Sequence, residues 1–188
     1  ARFWGFAPVA LATILTVSNP RPDVLVSRDG RHVGIIEDGE LLTLRDSRSS
    51  YASDTLSELG ALDGEPVPLA QWPGAQCSPE FCVAAVERDG RTFHLLLARG
   101  SDYVTERDLA AACARVDIVI ADRWLPWSCK PRWLKADRRM LSESGGLAIR
   151  LADRDVETVA EGQGAHGWWH GAGGVERPNR DEPRRPTQ

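Results

Sequence analysis

Three of the four Asp-Gly pairs in this chain, each set between two short apolar runs, are the sequence feature that most limits how it can fold. Glycine adopts the positive φ that a tight turn needs, so an Asp-Gly pair between apolar runs predicts a β-hairpin. These three pairs are Asp29-Gly30, Asp38-Gly39 and Asp89-Gly90. The first and third lie in the same tetrapeptide, Arg-Asp-Gly-Arg, which suggests two related half-units. The chain is therefore predicted to be rich in antiparallel strands.

The rest of the chain predicts few helices among short strands. An apolar run at residues 116–121 follows a predicted helix and indicates a buried strand of a layered fold. Helices are predicted at residues 50–59, 105–115 and 137–144. Further strands are predicted at residues 23–27, 32–36, 41–44, 83–87, 92–97, 145–151 and 155–159. The Pro- and Gly-rich residues 63–79 are predicted to form a loop. At 188 residues the chain has room for one domain. These patterns indicate a single α/β (α+β) domain.

An uncharged lead-in, FWGFAPVALATILTV at residues 3–17, precedes the helix breakers Ser18-Asn19-Pro20. Such a run is too short to cross a hydrocarbon core of about 30 Å. Three interpretations compete: the end of a truncated transmembrane helix, the apolar region of a signal peptide, and a buried helix. A membrane helix tolerates Pro8 inside the run better than a soluble helix does. We therefore assign residues 1–19 to the end of a truncated transmembrane helix.

Composition also sets the expected boundaries of the domain. From residue 162 the chain reads GQGAHGWWHGAGGVERPNRDEPRRPTQ, with almost no aliphatic side chains. Such a segment buries too little apolar surface to offset the entropy lost on ordering it. We expect a folded domain at residues 22–160 and a Gly-, Pro- and Arg-rich disordered tail at residues 161–188.

Four cysteines, Cys77, Cys82, Cys113 and Cys129, occur without a Cys-x-x-Cys pair and without a nearby histidine. This spacing disfavours zinc, and four cysteines allow three disulfide pairings. The segment Cys77-Ser-Pro-Glu-Phe-Cys82 brackets a predicted turn, a spacing that can close a small loop. If the lead-in spans a membrane, disulfides Cys77–Cys82 and Cys113–Cys129 on its extracytoplasmic side form a consistent set. The alternative is four buried free thiols in a reducing compartment.

The segment ADRWLPWSCKPRWLKADRR, residues 121–139, combines three tryptophans with six basic residues. Basic side chains neutralise phosphates and indole rings stack on bases, so the mixture is typical of a groove for single-stranded nucleic acid. The alternative is a roof over the core that the arginines keep soluble. The net charge of −4 argues against a free-standing, non-specific DNA binder, so any such contact is local. The candidate contact residues are Arg123, Trp124, Trp127, Lys130, Arg132, Trp133 and Lys135.

Residue types that perform catalysis are present but lack the spacing that catalysis needs. No phosphate-binding loop, nucleophile elbow or dinucleotide-binding glycine pattern occurs. His32 and His94 lie in or beside predicted strands, where a half-buried structural imidazole is expected. His166 and His170 have the spacing of a helical metal pair, but the glycines around them disfavour a helix. We therefore expect no catalytic residue, no metal site and no cofactor.

Two long segments carry a resemblance to a known family. LVSRDGRHVGIIEDGELLTLRD (residues 25–46) and VDIVIADRWLPWSCKPRWLKADRRMLSESGGLAIRL (residues 116–151), with the uncharged lead-in, resemble the carboxy-terminal part of ComEC-family competence proteins over about residues 3–170. Such proteins are polytopic inner-membrane channels that pass incoming single-stranded DNA to the cytoplasm during natural transformation. The resemblance implies a domain similar to the metallo-β-lactamase fold that lies outside the cytoplasm.

The metal ligands of that fold are missing from the corresponding positions. Its hydrolases bind metal through a His-x-His-x-Asp-His motif, a Gly-Asp after a strand and a later histidine. This sequence has Arg45-Asp46-Ser47-Arg48, Ala98-Arg99-Gly100 and Asp122-Arg123-Trp124 instead. Without imidazole and carboxylate ligands no metal-bound water is activated. The resemblance therefore implies a trimmed, degenerate metallo-β-lactamase-like αββα domain without nuclease activity.

From these features we expect a non-catalytic domain of an inner-membrane DNA-uptake channel, located on the periplasmic side, that guides or positions a DNA strand near the pore. Its expected partners are single-stranded DNA, the membrane through the lead-in helix, and other parts of the same channel, with self-association left open. One alternative is a structural module whose aromatic patch docks onto membrane helices or a partner. A second is a residual metal-dependent nuclease with ligands from His32, His94 or the His166/His170 pair.

Overall fold

The computed structural model describes residues 8–9, 21–45 and 51–163. We number the helices of residues 51–163 as α1 (Tyr51–Gly60), α2 (Glu106–Cys113), α3 (Arg138–Ser144) and α4 (Val159–Gln163). The strands are β1 (Val24–Ser27), β2 (Val33–Glu37), β3 (Glu40–Thr43), β4 (Val67–Pro68), β5 (Ala75–Cys77), β6 (Phe81–Arg88), β7 (Arg91–Ala98), β8 (Ile118–Ile120), β9 (Leu134–Ala136), β10 (Gly146–Arg150) and β11 (Asp155–Thr158). A 3₁₀ turn lies at Leu69–Gln71. The protein is thus a mixed α+β chain with few helices, which confirms the predicted class.

The strands form two mixed sheets. Over the described residues, the first sheet has six strands in the order β11-β10-β1-β2-β3-β4, and the second has five in the order β5-β6-β7-β8-β9. Neighbours in the first sheet are antiparallel except for β3 and β4, whereas β7, β8 and β9 run parallel to one another. The three parallel strands end at the same side of the second sheet, which we call the carboxyl edge. Segments that follow these strands are therefore brought together there.

The predicted Asp-Gly hairpins are confirmed. Both central residues have positive φ at Asp38-Gly39 (49° and 83°) and at Asp89-Gly90 (49° and 71°), which is the backbone of a two-residue type I′ turn. The first hairpin has a longer turn, in which Gly30 takes a φ of 68°. A Cβ atom on Gly30 would lie 3.0 Å from the carbonyl oxygen of Ala121, so this turn packs closely against the end of β8.

The two sheets pack face to face, and alternate residues of each strand fill the space between them. Phe93 and Leu95 of β7 belong to this shared core, whereas Leu96 belongs to the opposite face of the same sheet. In the first sheet, Val24 belongs to the shared core and Leu25 to the opposite face. A strand with an apolar layer on each face requires this period of two. The largest fully buried side chains, drawn mainly from both sheets, are Val24, Ile35, Leu41, Leu42, Leu69, Leu95, Leu97, Ile118, Ile120, Leu141, Ile149 and Leu151.

One helix covers the outer face of each sheet. Leu56 of α1 packs with Leu25 and Leu41 on the outer face of the first sheet. Leu109 and Cys113 of α2 pack on the outer face of the second sheet. Each of these two helices therefore buries apolar side chains against the outer face of one sheet.

The sequence predicts none of the three short strands β4, β5 and β9. Two of them, β4 and β5, lie inside residues 63–79, so the prediction of a loop is wrong for their residues. Each of the three gains its strand character from a partner, since β4 pairs with β3, β5 with β6 and β9 with β8. Segments of two or three residues show no periodic pattern of their own, so only tertiary pairing defines them.

Two predicted regions lie largely outside the described residues. The predicted end of a transmembrane helix at residues 1–19 lies outside them except for residues 8–9. Within the described part of the chain, no helix is long and apolar enough to cross a bilayer. Of the predicted tail at residues 161–188, only residues 161–163 are described, and these belong to α4.

Arg88, at the end of β6, joins the two sheets at the edge opposite the carboxyl edge. Its guanidinium donates to Asp23 at 2.6 Å, to Glu37 at 2.7 Å and to the carbonyl oxygen of Ile36. Burial lowers the pKa of Arg88, but the hydrogen bonds and charges of Asp23 and Glu37 outweigh it and raise this pKa above its ordinary value. Asp23 also accepts from the backbone N–H of Leu151 at 2.7 Å. Arg88 therefore ties the second sheet to several segments of the first.

Replacing Arg88 with methionine is expected to destabilise the fold, because Asp23 and Glu37, whose side chains are 17% and 16% exposed, then lack their cation. These pairs keep some solvent contact, so we expect a loss of about 1–3 kcal/mol, below the roughly 3–5 kcal/mol of a fully buried pair. Urea denaturation measures the change. The control is Arg91→Met, at an exposed position of the same hairpin, which should stay within about 0.5 kcal/mol of wild type. Equal losses in the two variants contradict this role of Arg88.

Candidate nucleic-acid interface

Segments from both sheets meet at the carboxyl edge. Arg45 follows β3 of the first sheet, Gly100 follows β7, and Asp122 and Arg123 follow β8. Nη2 of Arg45 donates to Oδ2 of Asp122 at 3.0 Å, so this pair joins the two sheets. Nε of Arg123 lies 3.4 Å from Oδ1 of Asp122, and Nη2 of Arg123 donates to the carbonyl oxygen of Gly100. These contacts hold the segments together, and we call Arg45, Gly100, Asp122 and Arg123 the edge cluster.

The edge cluster carries a net positive charge, because two guanidiniums share one carboxylate. The Nε atoms of Arg45 and Arg123 are buried without a hydrogen-bond acceptor. A guanidinium only donates hydrogen bonds and does not ligate a cation, and both arginines already engage the carboxylate of Asp122. Among the described residues there is no group of three or more side chains suited to hold a metal ion. The donor set of the edge cluster therefore does not fit a metal.

The connection from β8 to β9, residues 121–133, forms the tryptophan loop, which presents two indole rings to solvent. Trp124 is 66% exposed and Trp127 is 87% exposed. Nζ of Lys130 lies 5.9 Å from the centroid of the Trp127 ring, within the range of a cation–π interaction. A cation at one face leaves the other face open for stacking. Arg132, two positions further on, is exposed as well.

Interior contacts anchor the tryptophan loop between its exposed side chains. Leu125 is buried against the outer face of the second sheet, and Cys129 forms a disulfide with Cys113 of α2. Nζ of Lys135 donates to the carbonyl oxygens of Leu125 and Pro126, at 3.1 and 2.9 Å. A backbone held at several points loses little conformational entropy when a ligand binds, which favours affinity.

The structure divides the seven predicted contact residues into two groups. The exposed group is Trp124, Trp127, Lys130 and Arg132. The other three face interior partners: Arg123 lies in the edge cluster, Lys135 holds the loop carbonyls, and Trp133 packs against the shared core with its ring centroid 6.3 Å from that of Phe93. Of the exposed group, Arg132 also has a carboxylate neighbour, since its Nη1 lies 3.9 Å from Oδ1 of Asp117. The exposed group presents its side chains to solvent, and the other three residues hold the loop in place. Contact with nucleic acid stays a prediction for all seven.

The described histidines each have a carboxylate neighbour on or beside a strand. The backbone N–H of His94 donates to Oδ2 of Asp117 at 2.8 Å, and Nδ1 of His94 lies 3.8 Å from the same oxygen. Nδ1 of His32 lies 3.6 Å from Asp29 in the first hairpin turn. The predicted weak metal pair, His166 and His170, lies outside the described residues. Nothing in these contacts brings the histidines to the edge cluster.

Two residues of this region, Arg45 and Tyr103, escape prediction from the sequence. Arg45 lies 77 positions from Asp122, and only the packing of the two sheets brings them together. Tyr103 is 89% exposed in the segment that follows β7. The signal that could have identified both is their position, since each lies shortly after the end of a predicted strand, where functional groups of layered folds collect.

Both predicted disulfides are present. Cys77 and Cys82 are paired residues of β5 and β6, and Cys113 joins Cys129 between α2 and the tryptophan loop. All four cysteines are therefore bridged, so the alternative of four free thiols is wrong. Structural disulfides are typical of proteins in oxidising compartments.

The described residues form a mixed α+β domain of two packed sheets. A cationic and aromatic loop lies over the outer face of the second sheet. Comparisons with protein-family models, with curated proteins and with solved structures found no match to this chain. The residues and geometry of the domain itself are therefore the basis for assigning a function.

Removing the Cys113–Cys129 bridge is expected to destabilise the domain more than removing the Cys77–Cys82 bridge. The bridged cysteines are 16 and 5 positions apart. The chain-entropy treatment assigns about 3 and about 2 kcal/mol to closing loops of these lengths. Urea denaturation of Cys113→Ala/Cys129→Ala and of Cys77→Ala/Cys82→Ala measures the two losses. A larger loss from the shorter bridge is the outcome that contradicts this expectation.

Proposed function

We propose that this chain is a non-catalytic domain that positions single-stranded DNA at an inner-membrane uptake channel of the ComEC competence family. The observation that carries the proposal is the tryptophan loop. It presents the exposed rings of Trp124 and Trp127 with the exposed cations of Lys130 and Arg132, on a backbone that a disulfide and buried contacts anchor. Flat rings for bases and cations for phosphates are the two elements of single-strand binding without sequence preference.

For the fold, we propose a trimmed and degenerate form of the metallo-β-lactamase αββα sandwich. Two packed sheets, each with a helix against its outer face, support this proposal. The segments after β3, β7 and β8 take the positions of the ligand-bearing segments of that fold but lack their motifs, and here they meet in the edge cluster. The edge cluster carries guanidiniums where that fold has imidazoles. No metal-activated water forms on such donors, so we assign the domain no catalytic residue and no cofactor.

The charge of the chain supports a local rather than a general nucleic-acid surface. The net charge is −4, so the chain as a whole does not attract a phosphate backbone. Lys130 supplies a cation beside the Trp127 ring, Arg132 supplies an exposed one near the start of β8, and the edge cluster adds a net positive charge at the carboxyl edge. A few phosphate contacts release a few counterions, so the proposed binding weakens as salt rises.

An extracytoplasmic location is part of the proposal. The uncharged run at residues 3–17 ends shortly before the folded domain, and we assign residues 1–19 to the end of a transmembrane helix. Both disulfides suit an oxidising compartment. We place the domain on the periplasmic side of the inner membrane, next to other parts of the same channel.

A second candidate function is a structural module that docks the tryptophan loop onto membrane helices of the channel or onto a partner protein. The exposure of Trp127, at 87%, favours this function too, because a large exposed ring suits a protein interface. The two functions differ in their response to salt, since docking through aromatic rings releases no phosphate counterions.

Titration of a labelled oligothymidylate with the 188-residue chain, followed by fluorescence anisotropy, tests the proposed function. We expect binding that weakens as salt rises, and a loss of about 1–3 kcal/mol for Trp127→Ala, the range for one stacked base. Lys130→Gln should lower the slope of log affinity against log salt by about 0.7, the value for one phosphate contact with a single strand. Both side chains are exposed, so thermal stability should be unchanged.

Two matched variants control for general surface effects. Tyr51→Ala removes a ring that is 88% exposed on α1, over the outer face of the other sheet. Arg91→Gln removes an exposed cation from the edge opposite the carboxyl edge. Neither should change the affinity for the oligonucleotide. Absent or salt-independent binding contradicts the proposal and favours the docking module, and cleavage on adding Mn²⁺ or Zn²⁺ contradicts a non-catalytic role.

A further inference from the structure

We propose that Tyr103 is a further stacking residue, which extends the tryptophan loop into a continuous track for at least three unpaired bases. This inference rests on the proposed function. It adds a residue that lies outside the tryptophan loop, and it specifies the form of the ligand, a single strand rather than a duplex.

Exposed aromatic side chains are concentrated on one part of the surface. In the described part of the chain, the large exposed hydrophobic side chains include four aromatic rings, those of Tyr51, Tyr103, Trp124 and Trp127. Tyr51 lies on α1 over the first sheet, while the other three lie in the segments after β7 and β8. Scattered single exposed rings are ordinary, but neighbouring ones mark a binding surface. At 89% exposure, Tyr103 contributes little to packing in the free domain.

Two contacts place this tyrosine beside the tryptophan loop. The carbonyl oxygen of Gly100, three positions before it, accepts from Arg123, which directly precedes Trp124. Val104, which directly follows it, packs against the apolar cluster that also buries Leu125. The chain before the tyrosine is therefore anchored to the residue that precedes Trp124, and the residue after it packs on the same outer face as the loop. Three residues of extended chain span at most about 10 Å, so the Cα of Tyr103 lies within about 10 Å of the Cα of Gly100. Gly100 is itself hydrogen-bonded to Arg123 of the tryptophan loop.

The track follows the direction of β8 across the outer face of the second sheet. The tryptophan loop leaves β8 at the carboxyl edge near Trp124 and returns to the start of the same strand, where the N–H of Arg132 donates to the carbonyl oxygen of Val116 at 3.0 Å. Trp127 lies between these two ends of the loop. Tyr103 adds a ring at the end where Trp124 lies. A strand that crosses the loop thus meets three rings in succession, with cations toward the other end.

Three rings in succession require three bases whose faces are accessible. In a duplex each base is already stacked on its neighbours, so only an unpaired strand offers those faces. The cations along the track are few, so contacts with phosphates alone hold a duplex weakly at physiological salt. The preference for single strands then comes from stacking of bases on the rings, and not from the contacts between cations and phosphates.

The test compares a labelled oligothymidylate with a hairpin of the same length whose stem is fully paired and closed by a polyethylene-glycol linker instead of a nucleotide loop. Both are titrated with wild type, Tyr103→Ala, Tyr103→Phe and Tyr51→Ala chains. Tyr103→Ala should weaken single-strand binding about 5- to 150-fold, the range for one stacked base. Tyr103→Phe should bind like wild type, because stacking needs the ring and not the hydroxyl. Tyr51→Ala should also match wild type, since its ring lies over the other sheet. The hairpin should bind more weakly than the single strand, and equally to wild type and Tyr103→Ala.

Trp127→Ala, measured alongside, distinguishes failure of this inference from failure of the proposed function. Weakening by Trp127→Ala without weakening by Tyr103→Ala overturns the extension to Tyr103 and leaves the proposed function standing. No binding of the single strand by wild type overturns both. Equal losses of single-strand and hairpin affinity in Tyr103→Ala contradict a track for unpaired bases. Circular dichroism checks that the Tyr103 variants fold, as the 89% exposure of this side chain leads us to expect.

Discussion

Face-to-face packing of the two sheets is the interaction on which the rest of the structure depends. Side chains from both sheets, such as Ile35 and Leu95, are fully buried in one shared core. Each strand also has an outward face, and α1 and α2 cover those faces. Once the sheets are stacked, the ends of β3 and β8 fall at one edge, and the ends of β2 and β6 fall at the opposite edge.

Arginines reach from one sheet to the other at both edges, but the balance of charge differs. At one edge a single guanidinium, that of Arg88, meets the carboxylates of Asp23 and Glu37. At the carboxyl edge, Arg45 and Arg123 share the carboxylate of Asp122. The first arrangement closes the sandwich with excess negative charge, and the second leaves positive charge beside exposed aromatic rings. The same kind of contact is therefore structural at one edge and suited to an anionic ligand at the other.

In the tryptophan loop and the strand β9 that follows it, residues of the same type have opposite environments. Trp127 is exposed beside Lys130, whereas Trp133 packs on the core and Lys135 holds backbone carbonyls. Composition identified the loop as a candidate, because it concentrates indoles and cations, but composition does not record the direction of a side chain. That direction depends on the pairing of β9 with β8, which places Trp133 directly before the strand and Lys135 in its middle.

The sequence by itself determined features that depend on adjacent residues. Positive φ at Asp38-Gly39 and the alternation of apolar side chains along β7 are local properties, so the hairpins, most strands and the longer helices were predictable. Only the tertiary structure decided which short segments became strands, and that Arg45 meets Asp122 across 77 positions. These features exist only when distant parts of the chain pack together, because two-residue strands and long-range ion pairs have no local pattern that could specify them.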